Sequence, residues 1–278
     1  MPGISSIFTT TRPSVVALGS KLTRAHPDTA PVLPEILGTG FVVDSRGLIV
    51  TNRHVAQALL ELPRHPKTGE SAAMALLFDD VQQREGQEVL GLSMLEIKHY
   101  MLLTEFTWTA EYYGDPLPDI ALLQLNARNL PALELATEPG SWQVGTQIAT
   151  LGYAMGREAM AVYNRINQVT PFLRSGIISS VWPFPMSKPH GLTIDSMSQG
   201  GQSGSPILAV EALLVLGLLY AGFAGTNITI AVPSHIVASA VAKMLELDQF
   251  EFDCVPTLQE VRSRATGRRE FLWNKVQL

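Results

Sequence analysis

An all-β fold of sandwich or barrel type, followed by one late helix, is what this sequence predicts. Short apolar runs of strand length recur along most of the chain, and glycine, proline and polar turns separate them. The chain has 278 residues and is 46% hydrophobic, which is enough for one large or two small cores. Helical periodicity is confined to one stretch near the end, so the alternation of strand and helix that builds parallel sheets is missing.

In order, the predicted strands are Ser14 to Leu18, Gly40 to Val43, Leu48 to Thr51, Ala73 to Phe78, Met94 to Ile97 and Ile120 to Leu125. They continue with Gln147 to Leu151, Arg174 to Val181, Gly191 to Ile194, Pro206 to Ala209, Leu213 to Tyr220 and Thr226 to Val232. Asp44-Ser45-Arg46-Gly47 reads as a hairpin turn, because glycine accepts the positive φ that such turns need. Pro131 and Pro139 interrupt the strand pattern within 126–140, placing a boundary between residues 1–135 and 136–250. Pro233 to Leu247 carries Ile236, Val237, Ala240, Val241, Met244 and Leu245 at a period near 3.6, which predicts a helix packed on the preceding strands. Residues 251–278 turn basic, with Arg262, Arg264, Arg268, Arg269 and Lys275, and are expected as a solvated tail or a docking segment containing Phe271 and Trp273.

Composition excludes several function classes. Only 16% of residues are charged and the net charge is -5, so no phosphate-binding field for nucleic acid is expected. Cys254 is the single cysteine, so the fold must rest on its core. Met1 to Ser20 lacks a charged region followed by an apolar one, and the apolar stretch from Ile207 to Tyr220 is broken by Glu211. No membrane insertion and a cytoplasmic location are expected, with a periplasmic mature form as the alternative. No histidine, cysteine or carboxylate cluster has metal-ligand spacing, so neither metal nor other cofactor is expected.

The chemistry sits in Gly201-Gln202-Ser203-Gly204-Ser205-Pro206, where a serine between glycines on a tight turn is presented beside backbone donors. A serine hydroxyl is a poor nucleophile at neutral pH and needs an imidazole to take its proton, with a carboxylate to orient the ring. Thr51-Asn52-Arg53-His54-Val55 and Pro118-Asp119-Ile120-Ala121-Leu122-Leu123 supply both, giving His54, Asp119 and Ser203 in chain order. Asp115 is the fallback for the carboxylate, whereas His26, His65, His99, His190 and His235 read as ordinary surface or core residues. An α/β-hydrolase elbow would need glycine where Ser205 stands, and no aspartate lies between Ser203 and His235.

These motifs resemble the trypsin-fold serine endopeptidases of the HtrA/Deg branch. Gly38-Thr39-Gly40 before the first histidine motif, Arg174-Ser175-Gly176-Ile177-Ile178-Ser179, Ile194-Asp195 and Ile230-Ala231-Val232-Pro233-Ser234 also fit in order, so the resemblance runs over roughly residues 13 to 245. It implies two six-stranded antiparallel barrels with a C-terminal helix, His54 and Asp119 on the first barrel and Ser203 on the second. The implied oxyanion hole is the backbone N–H of Gly201 and of Ser203.

Further implications concern regulation and substrate. Substrate, a protein or peptide, would add as a strand beside Leu218, Leu219, Tyr220 and Ala221, with Met197, Ser198, Gln199, Tyr220 and Gly222 walling the pocket for the cleaved residue. No acid stands among these, so a small or medium apolar side chain is expected there rather than Lys or Arg. Gln202 occupies the place where zymogen-activated trypsins hold a carboxylate, so activation by N-terminal cleavage is not expected. The 197–203 loop is expected to order through neighbouring loops or substrate. The sequence after the helix is too short for the PDZ domain of full HtrA proteins, and a homo-oligomer is compatible with Ile4, Ile7 and Phe8, although a frayed terminus is the simpler reading. The long segment 64–117, with Tyr100, Trp108, Tyr112 and Tyr113, is read either as a loop over the cleft or as extra strands of the first barrel. The alternative to an enzyme is a latent or non-catalytic binding module on the same fold.

Overall fold

The computed structural model describes residues 4–20, 35–64, 69, 71–84, 87–108, 116–154, 171–223, 225–246 and 255–264. Asp115, Tyr112, Tyr113, His26, His65, Cys254, Phe271 and Trp273 lie outside them.

The strands form two closed antiparallel barrels of six strands each. The first contains β1 (Val15–Ser20), β2 (Glu35–Asp44), β3 (Leu48–Thr51), β4 (Ala73–Arg84), β5 (Gln87–Leu102) and β6 (Ala121–Leu125). Their order around the barrel is β1-β2-β3-β6-β5-β4. The second contains β7 (Gln147–Gly152), β8 (Phe172–Trp182), β9 (Gly191–Asp195), β10 (Pro206–Ala209), β11 (Val215–Gly222) and β12 (Ile228–Pro233), in the order β10-β11-β12-β9-β8-β7. Closure removes sheet edges, and β1, β3, β6 and β10, buried along their whole length between the clusters, read as unbroken apolar runs. Along β1, for example, Val16 and Leu18 belong to a cluster confined to the first barrel, with Ile49, Leu95 and Leu123. Val15 and Ala17 point the other way, into a shared cluster that includes Leu151, Leu218 and Val232 of the second barrel. Ile148, Ile178, Ile194 and Ile207 form the second barrel's own cluster.

The expected hairpin turn at 44–47 is closed by the Gly47 amide on the Asp44 carbonyl at 3.0 Å, and the Asp44 carboxylate accepts from the Arg46 amide at 2.8 Å. Segment 64–117 resolves largely in favour of strands: β4 and β5 take most of it and close the barrel against β1 and β6. Beyond β5 the chain reaches the second barrel, where Trp108 lies 5.2 Å from the His190 ring and Glu105 accepts from Lys243 at 2.9 Å. Lys243 belongs to the expected late helix, α3, which spans Ser234–Glu246.

Helix α1 (Ile4–Thr11) replaces the frayed terminus that the sequence implied. Its threonines are poor helix formers. Tertiary burial overrides them, because Ile7 is fully buried in the shared cluster and Phe8 packs against it. Ile7 is therefore spent inside its own chain and is not a surface contact for a second copy. Helix α2 (Arg53–Leu60) follows Asn52 and buries Val55, Ala56 and Leu59 against the first barrel.

Residues 255–264 depart from the solvated tail expected after residue 250. They return to the first barrel: the Arg128 amide donates to the Pro256 carbonyl at 2.9 Å and the Leu258 amide to the Arg128 carbonyl at 2.8 Å. Helix α4 (Leu258–Arg264) then starts at a Thr257–Glu260 capping box, in which Glu260 Oε2 accepts from the Thr257 amide at 2.6 Å and Thr257 Oγ1 from the Glu260 amide at 3.2 Å. Leu258 enters the first barrel's cluster. No helix among the described residues is long and apolar enough to cross a membrane.

Candidate active site

His54 is the second residue of α2, and its presentation follows from how that helix is anchored. Asn52, fully buried at the helix entrance, donates from Nδ2 to the Asp119 carbonyl at 2.9 Å, fixing the loop before β6. Asp119 then holds His54 twice: Oδ1 accepts from the His54 amide at 3.0 Å, and Oδ2 lies 2.5 Å from ring Nδ1. Both bonds together fix the ring's orientation and place a proton on Nδ1, which leaves Nε2 as the basic nitrogen. The imidazole is half-exposed and the carboxylate is 20% exposed, so the ring faces solvent while its orienting partner is sheltered.

Ser203 arrives from the second barrel on the turn before β10, and the two barrels are stitched together at that point. Its carbonyl accepts from the Thr39 amide of β2 at 2.8 Å. Gly38 sits at the junction: a Cβ there would fall within 2.6 to 2.7 Å of the Val55 methyls and 3.2 Å of the Ser203 carbonyl oxygen. Only a bare Cα lets the helix carrying His54 approach the serine turn this closely. Gly204, with φ +88°, is required for the same reason, since a Cβ there would strike the Thr39 carbonyl. The Ser203 hydroxyl makes no hydrogen bond to His54 among the described residues. Such bonds often form only when a ligand is present. The bond between His54 and Asp119 is therefore made, and the one between His54 and Ser203 is not.

Thr39 is a hub that sequence reasoning placed only within a motif. Its fully buried Oγ1 donates to the Gly201 carbonyl at 2.8 Å and accepts from the Tyr153 amide at 3.0 Å, while its carbonyl accepts from Thr51 Oγ1 at 2.7 Å. These bonds turn the Gly201 carbonyl toward the first barrel, and φ at Gly201 is +89°. Thr39→Val keeps the shape but leaves the Gly201 carbonyl and the Tyr153 amide without their partner. It is expected to cost about 1–3 kcal/mol in urea denaturation, with Thr39→Ser close to wild type.

The loop ahead of the serine is held by its own side chains. Gln202 is fully buried; its Oε1 accepts from the Gln199 amide at 3.0 Å and its amide donates to the Gln199 carbonyl at 3.1 Å. Arg174 of β8 reaches the same loop at the Met197 carbonyl, 2.6 Å away, and at Gln199 Oε1, 2.9 Å away. Neighbouring structure thus braces the loop.

The presumed substrate edge needs correcting at two positions. Leu218 and Leu219 are buried side chains in the core clusters. The Leu219 amide donates to the Ser205 carbonyl at 3.0 Å, its carbonyl accepts from the Gly204 amide at 2.8 Å, and Leu218 pairs with both Pro206 and Val232. Their backbones are already engaged on both sides of β11, so no added strand can use them. Ala221 and Gly222 lie beyond the end of β10, paired on one side with Ile230 and Thr229. Tyr220 is half-buried between the two regions.

Of the pocket residues, Ser198 and Gly222 face each other: a Cβ on Gly222 would meet the Ser198 Cβ at 3.0 Å. Thr229, buried beside them, donates to the Ser196 carbonyl at 2.5 Å. Met197 is half-exposed, and the Gln199 side chain accepts from Arg174 while its backbone amide donates to Gln202. Among the described residues no His, Cys, Asp and Glu side chains converge as a metal site.

Residues 38–218 match the trypsin-like peptidase domain family. No match is found among the curated proteins. Among solved structures, the HtrA-type protease AlgW with a decapeptide is similar at 18% identity and TM-score 0.56, over 88% of this chain and 68% of that one. A serine endoprotease from Yersinia pestis is similar at 19% identity and TM-score 0.51, over 89% and 68%. Rv3671c from M. tuberculosis H37Rv, a serine-to-alanine mutant in its inactive form, is similar at 18% identity and TM-score 0.50, over 88% and 93%. At these identities the likeness to solved structures is one of fold.

Proposed function

The chain belongs to the trypsin-like peptidase family, and from that premise we propose that it is a serine endopeptidase acting through His54, Asp119 and Ser203. The observation that carries this reading is the double hold of Asp119 on His54, through ring Nδ1 and the backbone amide. An exposed imidazole held so firmly by a sheltered carboxylate, on the barrel that grips the serine turn, has no structural task that a simpler pair would not serve.

In this reading Nε2 of His54 takes the proton from Ser203 Oγ as the oxygen attacks the scissile carbonyl. Asp119 keeps the ring in the required tautomer and stabilises the imidazolium. The tetrahedral oxyanion is received by the Gly201 and Ser203 amides, a donor in such a hole lowering the barrier by about 3–4 kcal/mol. Collapse expels the amine, which leaves with the proton held on His54. Water, deprotonated by the same nitrogen, then cleaves the acyl-enzyme and regenerates Ser203.

A peptide fits as a strand along Ala221 and Gly222, past the end of β10. The similar HtrA-type protease AlgW is seen with a decapeptide, which supports a peptide as the substrate class here. Pocket contact between Ser198 and Gly222, with Thr229 behind them and no acid among these residues, favours a small or medium apolar side chain at the cleaved position.

Reaction with a fluorophosphonate, followed by intact mass, tests the assignment. A single adduct is expected on wild type and none on Ser203→Ala or His54→Ala, and cleavage of a peptide library is expected after Ala, Val or Leu and not after Lys or Arg. A folded wild type that takes no adduct would instead place the chain among binding modules on a peptidase scaffold.

A further inference from the structure

We propose that Arg174 is a positioning residue that holds the oxyanion loop in its working shape. The inference rests on the peptidase reading above and adds to it the device by which the loop is kept formed.

Arg174 lies on β8 across from Thr150 of β7, so its Cα is fixed by the barrel. Its guanidinium spans two points of the loop: Nη1 donates to the Met197 carbonyl at 2.6 Å and Nη2 to Gln199 Oε1 at 2.9 Å. The first bond fixes where the loop leaves β9. Through the second the hold passes inward, because the Gln199 amide donates to Gln202 Oε1 at 3.0 Å and the Gln202 amide returns to the Gln199 carbonyl at 3.1 Å. Gln202 is fully buried and adjoins Ser203, and its carbonyl accepts from the Ser205 amide at 3.0 Å. A relay thus runs from a rigid strand through Arg174, Gln199 and Gln202 to the nucleophile.

The chemistry of the loop makes this relay necessary. Residues 196–205 contain neither a carboxylate nor a cationic side chain, so no ion pair of the loop's own can set it. Two neutral glutamines hold each other only weakly unless one is pinned. An arginine can pin one because its planar fork presents two separated donors, where a lysine offers a single point charge. The opposite flank is held by Thr39 Oγ1 on the Gly201 carbonyl. Between these two clamps the Gly201 and Ser203 amides are set before substrate arrives. The lost bonds of an Arg174 variant would be replaced by water, since the side chain is only partly buried, so the fold survives while the loop loosens.

The test compares wild type with Arg174→Ala and Arg174→Lys by peptide kinetics, thermal melting and hydrogen exchange of the segment 197–204. Arg174→Ala is expected to lower kcat by about 100-fold with KM within about threefold, the pattern of a lost interaction that matters in the transition state. Its melting temperature should stay near that of wild type, Arg174→Lys should recover only a minor part of the rate, and exchange across 197–204 should rise. Added guanidinium ion should restore rate to Arg174→Ala and not to Ser203→Ala, a rescue that a purely structural role would not show. Unchanged exchange in 197–204, or kcat within about threefold of wild type, would overturn the proposal. Should wild type fail to react with the fluorophosphonate, the peptidase reading falls by itself. The exchange comparison then still decides whether Arg174 braces the loop.

Discussion

Ser203→Ala is expected to lower kcat/KM on a cleaved peptide by about 10⁶-fold, with residual turnover still about 10³-fold above the uncatalysed reaction. The loss is large because no other group can supply the attacking oxygen. A residue remains because the substrate strand and the Gly201 amide still bind and polarise the carbonyl. The substitution removes one oxygen from a half-buried turn whose backbone is held by Thr39 and Leu219, so the melting temperature should hardly move. Because nucleophile and base act as a unit, His54→Ala added to Ser203→Ala should cost no more than about threefold further. An additive loss in the double variant would show that the two residues do not share one step.

Asp119→Asn is expected to lower kcat by about 10⁴-fold while the fold and substrate binding persist. The asparagine oxygen can still accept from the His54 amide, as Oδ1 does now at 3.0 Å, and Asn52 still grips the 119 carbonyl. The amide NH2 then faces Nδ1 and donates to it, which moves the ring proton to Nε2. With Nε2 protonated the imidazole has no lone pair for the serine proton. Nitrogen-15 NMR of the imidazole gives a direct check: wild type should carry its proton on Nδ1 and the variant on Nε2. A variant with the wild-type tautomer and near wild-type rate would remove Asp119 from the assignment.

The two expectations draw on different kinds of information in the chain. His54, Asp119 and Ser203 stand out in the sequence as candidates because each sits in a short motif whose flanking residues have their own local reasons. Asn52 anchors a helix, Ala121 begins a strand, and Gly204 permits a turn with φ +88°. Strands β1, β3, β6 and β10 were legible because both their faces are buried, so unbroken apolar runs mark them, whereas β8 keeps an exposed face. Helix α1 was not, since Ser and Thr dominate it and only burial of Ile7 makes it helical. The capping box at Thr257 and Glu260 was present as a local signal, yet nothing local said that Leu258 had a socket on the first barrel.

The substrate edge shows the same division within one strand. Leu218 to Gly222 reads as a uniform apolar run, and the sequence cannot say where β10 stops covering it. That end is set by the turn at Gly204 and Ser205, which uses up Leu219 and passes the edge on to Ala221 and Gly222. Likewise Arg174 and Gln199 are 25 residues apart, and no periodicity links a strand residue to a loop residue at that separation.

By itself the sequence determined the fold class and the peptidase family, and it singled out His54, Asp119 and Ser203 as candidates, because each is encoded in contiguous residues whose propensities agree with their final place. Only the tertiary structure decided how those pieces are held: Thr39 on the Gly201 carbonyl, Arg174 on the loop, and α1 and residues 255–264 on the barrels. Such contacts join residues distant in the chain through side-chain geometry, and their strength depends on burial that exists only once both barrels have closed.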